Sequence, residues 1–216
     1  MAAREWGEIR RSIFRDSLSF VQAFMGRKGS VIDLGAGHCI FTRDAHALGW
    51  QATALDVRID RRPDLPDGVS YIHANVNSDD WDPSQYDVIA CLGLYYHLDQ
   101  EMQFNLLEKC RGKAMIIDTH FANEDNSKTI GGLSDLTIMG EEQGAIFKEA
   151  PGSSVVERKE TRLLASYENP TSWWPTRDSL KKTLHRFGFE HVWELASPSC
   201  DTVQRTFFIA YSTKPF

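Results

Sequence analysis

Residues 31–40, Val31-Ile32-Asp33-Leu34-Gly35-Ala36-Gly37-His38-Cys39-Ile40, constrain this chain more than any other stretch. β-Branched Val31 and Ile32 have the character of a buried parallel strand. Asp33 closes the strand, and two glycines follow. Gly35 and Gly37 let the backbone turn sharply and approach a ligand with no Cβ in the way. A helical pattern resumes at Ile40. A strand, a tight turn and a helix packed into so few residues call for a layered α/β fold.

A second apolar run, Ala52-Thr53-Ala54-Leu55, ends in Asp56. A carboxylate at a strand end can accept two hydrogen bonds from a ribose diol. Where a dinucleotide-binding turn would carry its third glycine, this chain has Ile40. That residue, with Asp33 ahead of the glycines, argues against a nicotinamide-dependent oxidoreductase.

The Asp33-Leu34-Gly35-Ala36-Gly37 turn, with Asp56 after the next strand, resembles the class I S-adenosylmethionine-dependent methyltransferases. The resemblance implies a Rossmann-like, seven-stranded, mostly parallel sheet. A closing antiparallel strand, helices on both faces and an insertion after the fifth strand belong to it. It also implies S-adenosyl-L-methionine as cofactor. Gly35, Ala36 and Gly37 would pack against that cofactor, Asp33 would help place its amino end, and Asp56 would hold the ribose. Val57, Val76 and Leu92 fall at neighbouring cofactor-binding positions. The family usually carries an Asp after the third strand to bond the adenine amine. The matching stretch here is Ala74-Asn75-Val76-Asn77, so Asn75 offers a carbonyl oxygen without charge.

The rest of the chain alternates strand and helix signals. Strands are expected near 30–34, 51–56, 69–73, 86–92 and 113–119, and helices near 40–48 and 100–110, stopped by Gly49 and Gly112. Such alternation argues for a parallel sheet covered on both faces, with the ligand at the carboxyl ends of the strands. Residues 4–25 read as an amphipathic helix packed on the sheet edge or over the pocket. Residues from about 121 to 175 break the rhythm with turn-rich sequence, and read as a substrate-side insertion in a single domain, 1–216. Short strand-like pieces stand out in it, Ser154-Val155-Val156 and Leu163-Leu164-Ala165. Thr176 is a good N-cap for a helix that Gly188 ends. The segments 192–195 and 206–211 make a closing antiparallel hairpin.

Composition narrows the partners. The 216 residues carry a formal net charge of -6, unsuited to a phosphate backbone. The basic pieces Arg58 to Arg62 and Arg177 to Arg186 read as solvated faces. Cys39, Cys91, Cys110 and Cys200 form no C-x-x-C pair, and no metal site is expected. No window approaches the roughly 20 apolar residues of a membrane span. A cytoplasmic enzyme acting on a small molecule, with no nucleic-acid or membrane partner, is the expectation.

Methyl transfer to a hydroxyl needs a base within reach, worth roughly 10²–10⁴-fold. His97, in Gly93-Leu94-Tyr95-Tyr96-His97-Leu98 after the fourth strand, and His120, ending the fifth, are the candidate catalytic bases. Tyr95, Tyr96, Glu149 and Trp174 are the candidate substrate contacts, and Trp173 shares the aromatic segment Asn169 to Thr176. The Tyr-His-Leu segment resembles a subgroup in which some members methylate sugars or small metabolites. A related group modifies transfer RNA. A transfer-RNA-modifying enzyme and a non-catalytic cofactor-binding module are the remaining alternatives.

Overall fold

The computed structural model describes residues 3–162, 164–195 and 205–212. After helix α1 (Ala3–Met25) come β1 (Ser30–Leu34), α2 (Ile40–Ala47), β2 (Gln51–Asp56), β3 (Ser70–His73), β4 (Val88–Leu92), α3 (Gln100–Lys109) and β5 (Ala114–His120). The insertion then holds α4 (Glu124–Thr129), β6 (Thr137–Met139), β7 (Glu142–Lys148), α5 (Val155–Glu160) and β8 (Thr171–Pro175). The chain returns through α6 (Arg177–Arg186), β9 (His191–Leu195) and β10 (Arg205–Tyr211).

Seven strands form one sheet in the order β3-β2-β1-β4-β5-β10-β9, in which β10 runs antiparallel to both its neighbours. A seven-stranded, mostly parallel sheet with a closing antiparallel strand is what the resemblance implied. The order reverses between β1 and β4, which opens a crevice at the carboxyl ends of those strands. Alternating side chains feed two cores. Ile32, Leu34, Ile89, Met115, Ile117 and Phe208 face α3 and α6 through Leu106, Leu107, Leu180 and Leu184. Val31, Val88, Ala90, Ile116 and Phe207 face α1 and α2 through Phe14, Leu18, Val21 and Ala45. Both faces are covered at the centre of the sheet, so β4 is buried and apolar throughout and does not alternate, whereas the edge strand β3 stays partly exposed.

The ends of the helices obey local chemistry. Asp99 caps α3 by accepting from the Met102 N–H at 2.8 Å, and Thr176 caps α6. Arg11 ties α1 to α2 through two bonds to Asp44, at 2.8 and 2.6 Å.

The insertion differs from its sequence reading. Its strands β6, β7 and β8 form a three-stranded antiparallel sheet. Ser154-Val155-Val156 begins a helix instead of a strand, because the Ser154 hydroxyl accepts from the Glu157 N–H and caps α5. Leu164 and Ala165 lie in a turn and bend. Leu163 and Cys200 fall outside the described residues. Cys39, Cys91 and Cys110 are buried and free.

Candidate active site

A cavity of about 400 Å³ opens at the carboxyl ends of β1, β2 and β4. Gly35, Ala36 and Gly37 line one wall, Asp56 and Val57 the next, and Asn75, Val76 and Leu92 follow. Tyr96 and His97 stand on the wall beyond β4. These ten expected residues therefore meet around one space.

The glycine turn has the backbone that only glycine takes without strain: φ is +66° at Gly35 and +51° at Gly37. An added Cβ at Gly35 would stand 3.2 Å from Leu94, and one at Gly37 3.1 Å from Arg61. Asp56 is buried at the turn. Its Oδ2 accepts from the Gly37 N–H and its Oδ1 from the Arg58 N–H, both at 2.7 Å. Each oxygen keeps a further lone pair for a ligand hydroxyl. A buried carboxylate beside a cradle that a Cβ would fill fits a ribose and its attached chain.

His97 points its Nδ1 at Glu149 Oε1, 2.9 Å away. The same Glu149 oxygen accepts from the Ser172 hydroxyl at 2.9 Å, and Oε2 accepts from the Ser166 N–H at 3.0 Å. Glu149 is buried and stands behind the imidazole, outside the cavity lining. Its place is that of a partner to His97.

Other expected residues lie elsewhere. Asp33 is buried and does not line the cavity; its Oδ2 accepts from the Thr42 N–H at 3.1 Å and the Thr42 hydroxyl at 2.7 Å. It braces the turn against α2, and burial pushes its carboxyl up to about 7. Tyr95 is fully buried, with its hydroxyl unpaired among the described residues. The short turn that carries His97 into the cavity drives Tyr95 into the core. His120 also misses the cavity lining. It stacks on Trp174 at 4.6 Å with rings 7° apart, and Arg205 Nη1 lies 3.1 Å from its Nε2. Trp174 in turn stacks on Phe147 and donates its indole N–H to the Tyr96 carbonyl at 3.0 Å. Trp173 is buried and bonds Glu142.

Three cavity features escaped sequence reasoning. Arg58 and Arg61, expected on a solvated face, both line the cavity. Arg58 reaches the carbonyls of Arg158 and Ala165 and lies over the Tyr167 ring, so it ties the turn after β2 to the insertion. Residues 164–169 close the side of the cavity next to Asn75, so the insertion also borders the side expected to hold the cofactor. Arg10 of α1 reaches the cavity and bonds buried Asp118 at 2.6 Å, while Arg205 makes two bonds to the same carboxylate at 2.9 Å. Burial opposes the charge on Asp118, and the two guanidiniums outweigh it, holding the carboxyl below its ordinary value. The group is left with one net positive charge beside Gly93.

No protein-family model matches the chain. Solved structures with the same architecture do. The N-terminal domain of EvdMO1 with SAH bound has a TM-score of 0.64 at 17% identity, covering 92% of this chain and 80% of that one. A Burkholderia thailandensis 1,6-didemethyltoxoflavin-N1-methyltransferase, with 1,6-didemethyltoxoflavin and S-adenosylhomocysteine bound, has a TM-score of 0.56 at 14% identity, covering 98% and 91%. The mitochondrial ubiquinone biosynthesis O-methyltransferase of Schizosaccharomyces pombe is 25% identical over 122 residues, 51% of this chain and 42% of that protein. The match thus spans less than half of that relative. The fold is that of the class I S-adenosylmethionine-dependent methyltransferases.

Proposed function

We propose that this chain transfers a methyl group from S-adenosylmethionine to a hydroxyl of a small-molecule acceptor, with His97 as general base. The observation that carries the proposal is the meeting of the glycine turn, Asp56 and the His97–Glu149 pair around one cavity. The bound cofactor would supply an electrophilic methyl carbon.

The chain's own residues do the rest. Asp56 accepts from the ribose hydroxyls, and the turn at Gly35–Gly37 leaves room for the methionyl chain. Arg10 offers a cation for the methionyl carboxylate. Glu149 accepts the Nδ1–H of His97, which leaves Nε2 as the proton acceptor and favours the imidazolium that forms. Holding base and acceptor together removes several kcal/mol of orientational cost. Tyr96, Leu94 and Met102 keep water from the reacting atoms.

The relatives support the acceptor class. The fission-yeast relative is by name an O-methyltransferase, and the Burkholderia enzyme was solved with a small molecule bound. The formal charge of -6 disfavours a nucleic-acid acceptor. No helix among the described residues is long and apolar enough to cross a membrane.

The test is transfer of labelled methyl from S-adenosylmethionine to a panel of phenols, catechols and sugars. Oxygen-methylated product from the wild type, reduced roughly 10²-fold in His97→Ala, supports the reading. Methylation confined to amines or thiols overturns the oxygen assignment.

A further inference from the structure

The segment that closes the cavity brings a carboxylate to the end of β3. Asn75 stands where the family usually has an aspartate, and its amide is committed in a particular sense. Its Oδ1 accepts from the Asn77 N–H at 3.1 Å, and its Nδ2 donates to Glu168 Oε2 at 3.2 Å. The amide therefore turns its NH₂ toward Glu168, and the charged acceptor at this end of the cavity is Glu168.

Glu168 is held through both its side chain and its backbone. Lys159 donates to Oε1 at 3.0 Å, and its ammonium lies 4.7 Å from the centre of the Tyr167 ring. Buried Arg158 donates to the Glu168 carbonyl at 2.9 Å. Both carboxylate oxygens retain a lone pair after these bonds.

The sheet register sets what would reach it. Asp56 of β2 pairs with His73 of β3, and Asn75 lies two residues further on. A nucleoside with its ribose on Asp56 and its base toward β3 meets Val57, Ala74, Asn75, Val76 and Glu168, all of which line the cavity.

We propose that Glu168 accepts a hydrogen bond from the exocyclic amine of the cofactor's adenine, so that the insertion reads the base. This rests on the S-adenosylmethionine reading above.

Calorimetry on the wild type and Glu168→Ala tests it with two ligands. One is S-adenosylhomocysteine; the other is the same molecule with purine lacking the 6-amino group. The wild type should prefer S-adenosylhomocysteine by about tenfold, the usual size for a charge-assisted bond. Glu168→Ala should lose that preference while binding the deamino ligand as the wild type does. Glu168 is exposed, so the variant should fold, as circular dichroism would verify. A preference that persists in Glu168→Ala overturns the inference, as does equal loss of both ligands. A wild type that binds neither ligand overturns the cofactor reading and this inference with it.

Discussion

Glu149 Oε1 lies 2.9 Å from Nδ1 of His97, although the two residues are 52 apart in sequence. The imidazole comes from the turn after β4 and the carboxylate from the end of β7. The core strand places the imidazole and the insertion orients it. Three donors converge on Glu149: the His97 ring, the Ser172 hydroxyl and the Ser166 N–H. The carboxylate is thus fixed before any ligand arrives.

Glu149→Gln should therefore lower kcat by about tenfold or more, because the imidazole loses the partner that fixes its tautomer and orientation. Affinity for S-adenosylhomocysteine should stay within about twofold. An unchanged kcat in Glu149→Gln would rule out this role for Glu149.

The two histidines should separate in turnover. His97→Ala should lose roughly 10²-fold in kcat, and because it takes a donor from buried Glu149 it should also cost about 1–3 kcal/mol of stability. His120→Ala removes a ring stacked on Trp174 and a neighbour of Arg205, so it should cost stability, about 1–2 kcal/mol, and keep most turnover. Steady-state kinetics beside urea unfolding reads both.

Tyr95→Phe should leave turnover unchanged and raise stability by about 1 kcal/mol, because it removes a buried hydroxyl with no partner among the described residues while keeping the ring. A large loss of activity in Tyr95→Phe would return Tyr95 to the substrate.

How much of this was legible depended on how local the cause was. Gly35 and Gly37 announce their left-handed turn, and Thr176 and Gly188 bracket α6, because each acts on its own neighbours. Seven strands followed from their apolar runs. Val155 and Val156 misled because β propensity is weaker than the Ser154 cap beside them. The Arg10–Asp118 and Arg205–Asp118 bonds join residues 108 and 87 apart, and no local pattern marks such pairs. Arg58 and Arg61 looked solvated for the same reason: the 164–169 segment borders the cavity they enter only in the folded chain.

Asp33→Asn should stabilise the protein at neutral pH. The folded carboxyl titrates at about 7 and the unfolded one at the ordinary 3.8. Between these values the folded state keeps a proton that the unfolded chain has released, so stability falls as pH rises through the window. The amide still accepts from Thr42 and has no such titration. Melting temperatures of the two proteins should thus diverge from pH 4 to 7, with the variant higher at the upper end. A wild type whose stability is flat across that range contradicts the burial argument.

The cavity between the glycine turn and Asp56 is the expected S-adenosylmethionine site. Calorimetry of S-adenosylhomocysteine against wild type and Asp56→Ala, with NADH in parallel, tests it most directly. The expected result is binding of S-adenosylhomocysteine, no binding of NADH, and a loss of tenfold or more in Asp56→Ala, since charge-assisted bonds to the ribose are worth about 1.5–3 kcal/mol each. Binding of NADH in preference, or an Asp56→Ala variant with undiminished affinity for S-adenosylhomocysteine, would contradict it.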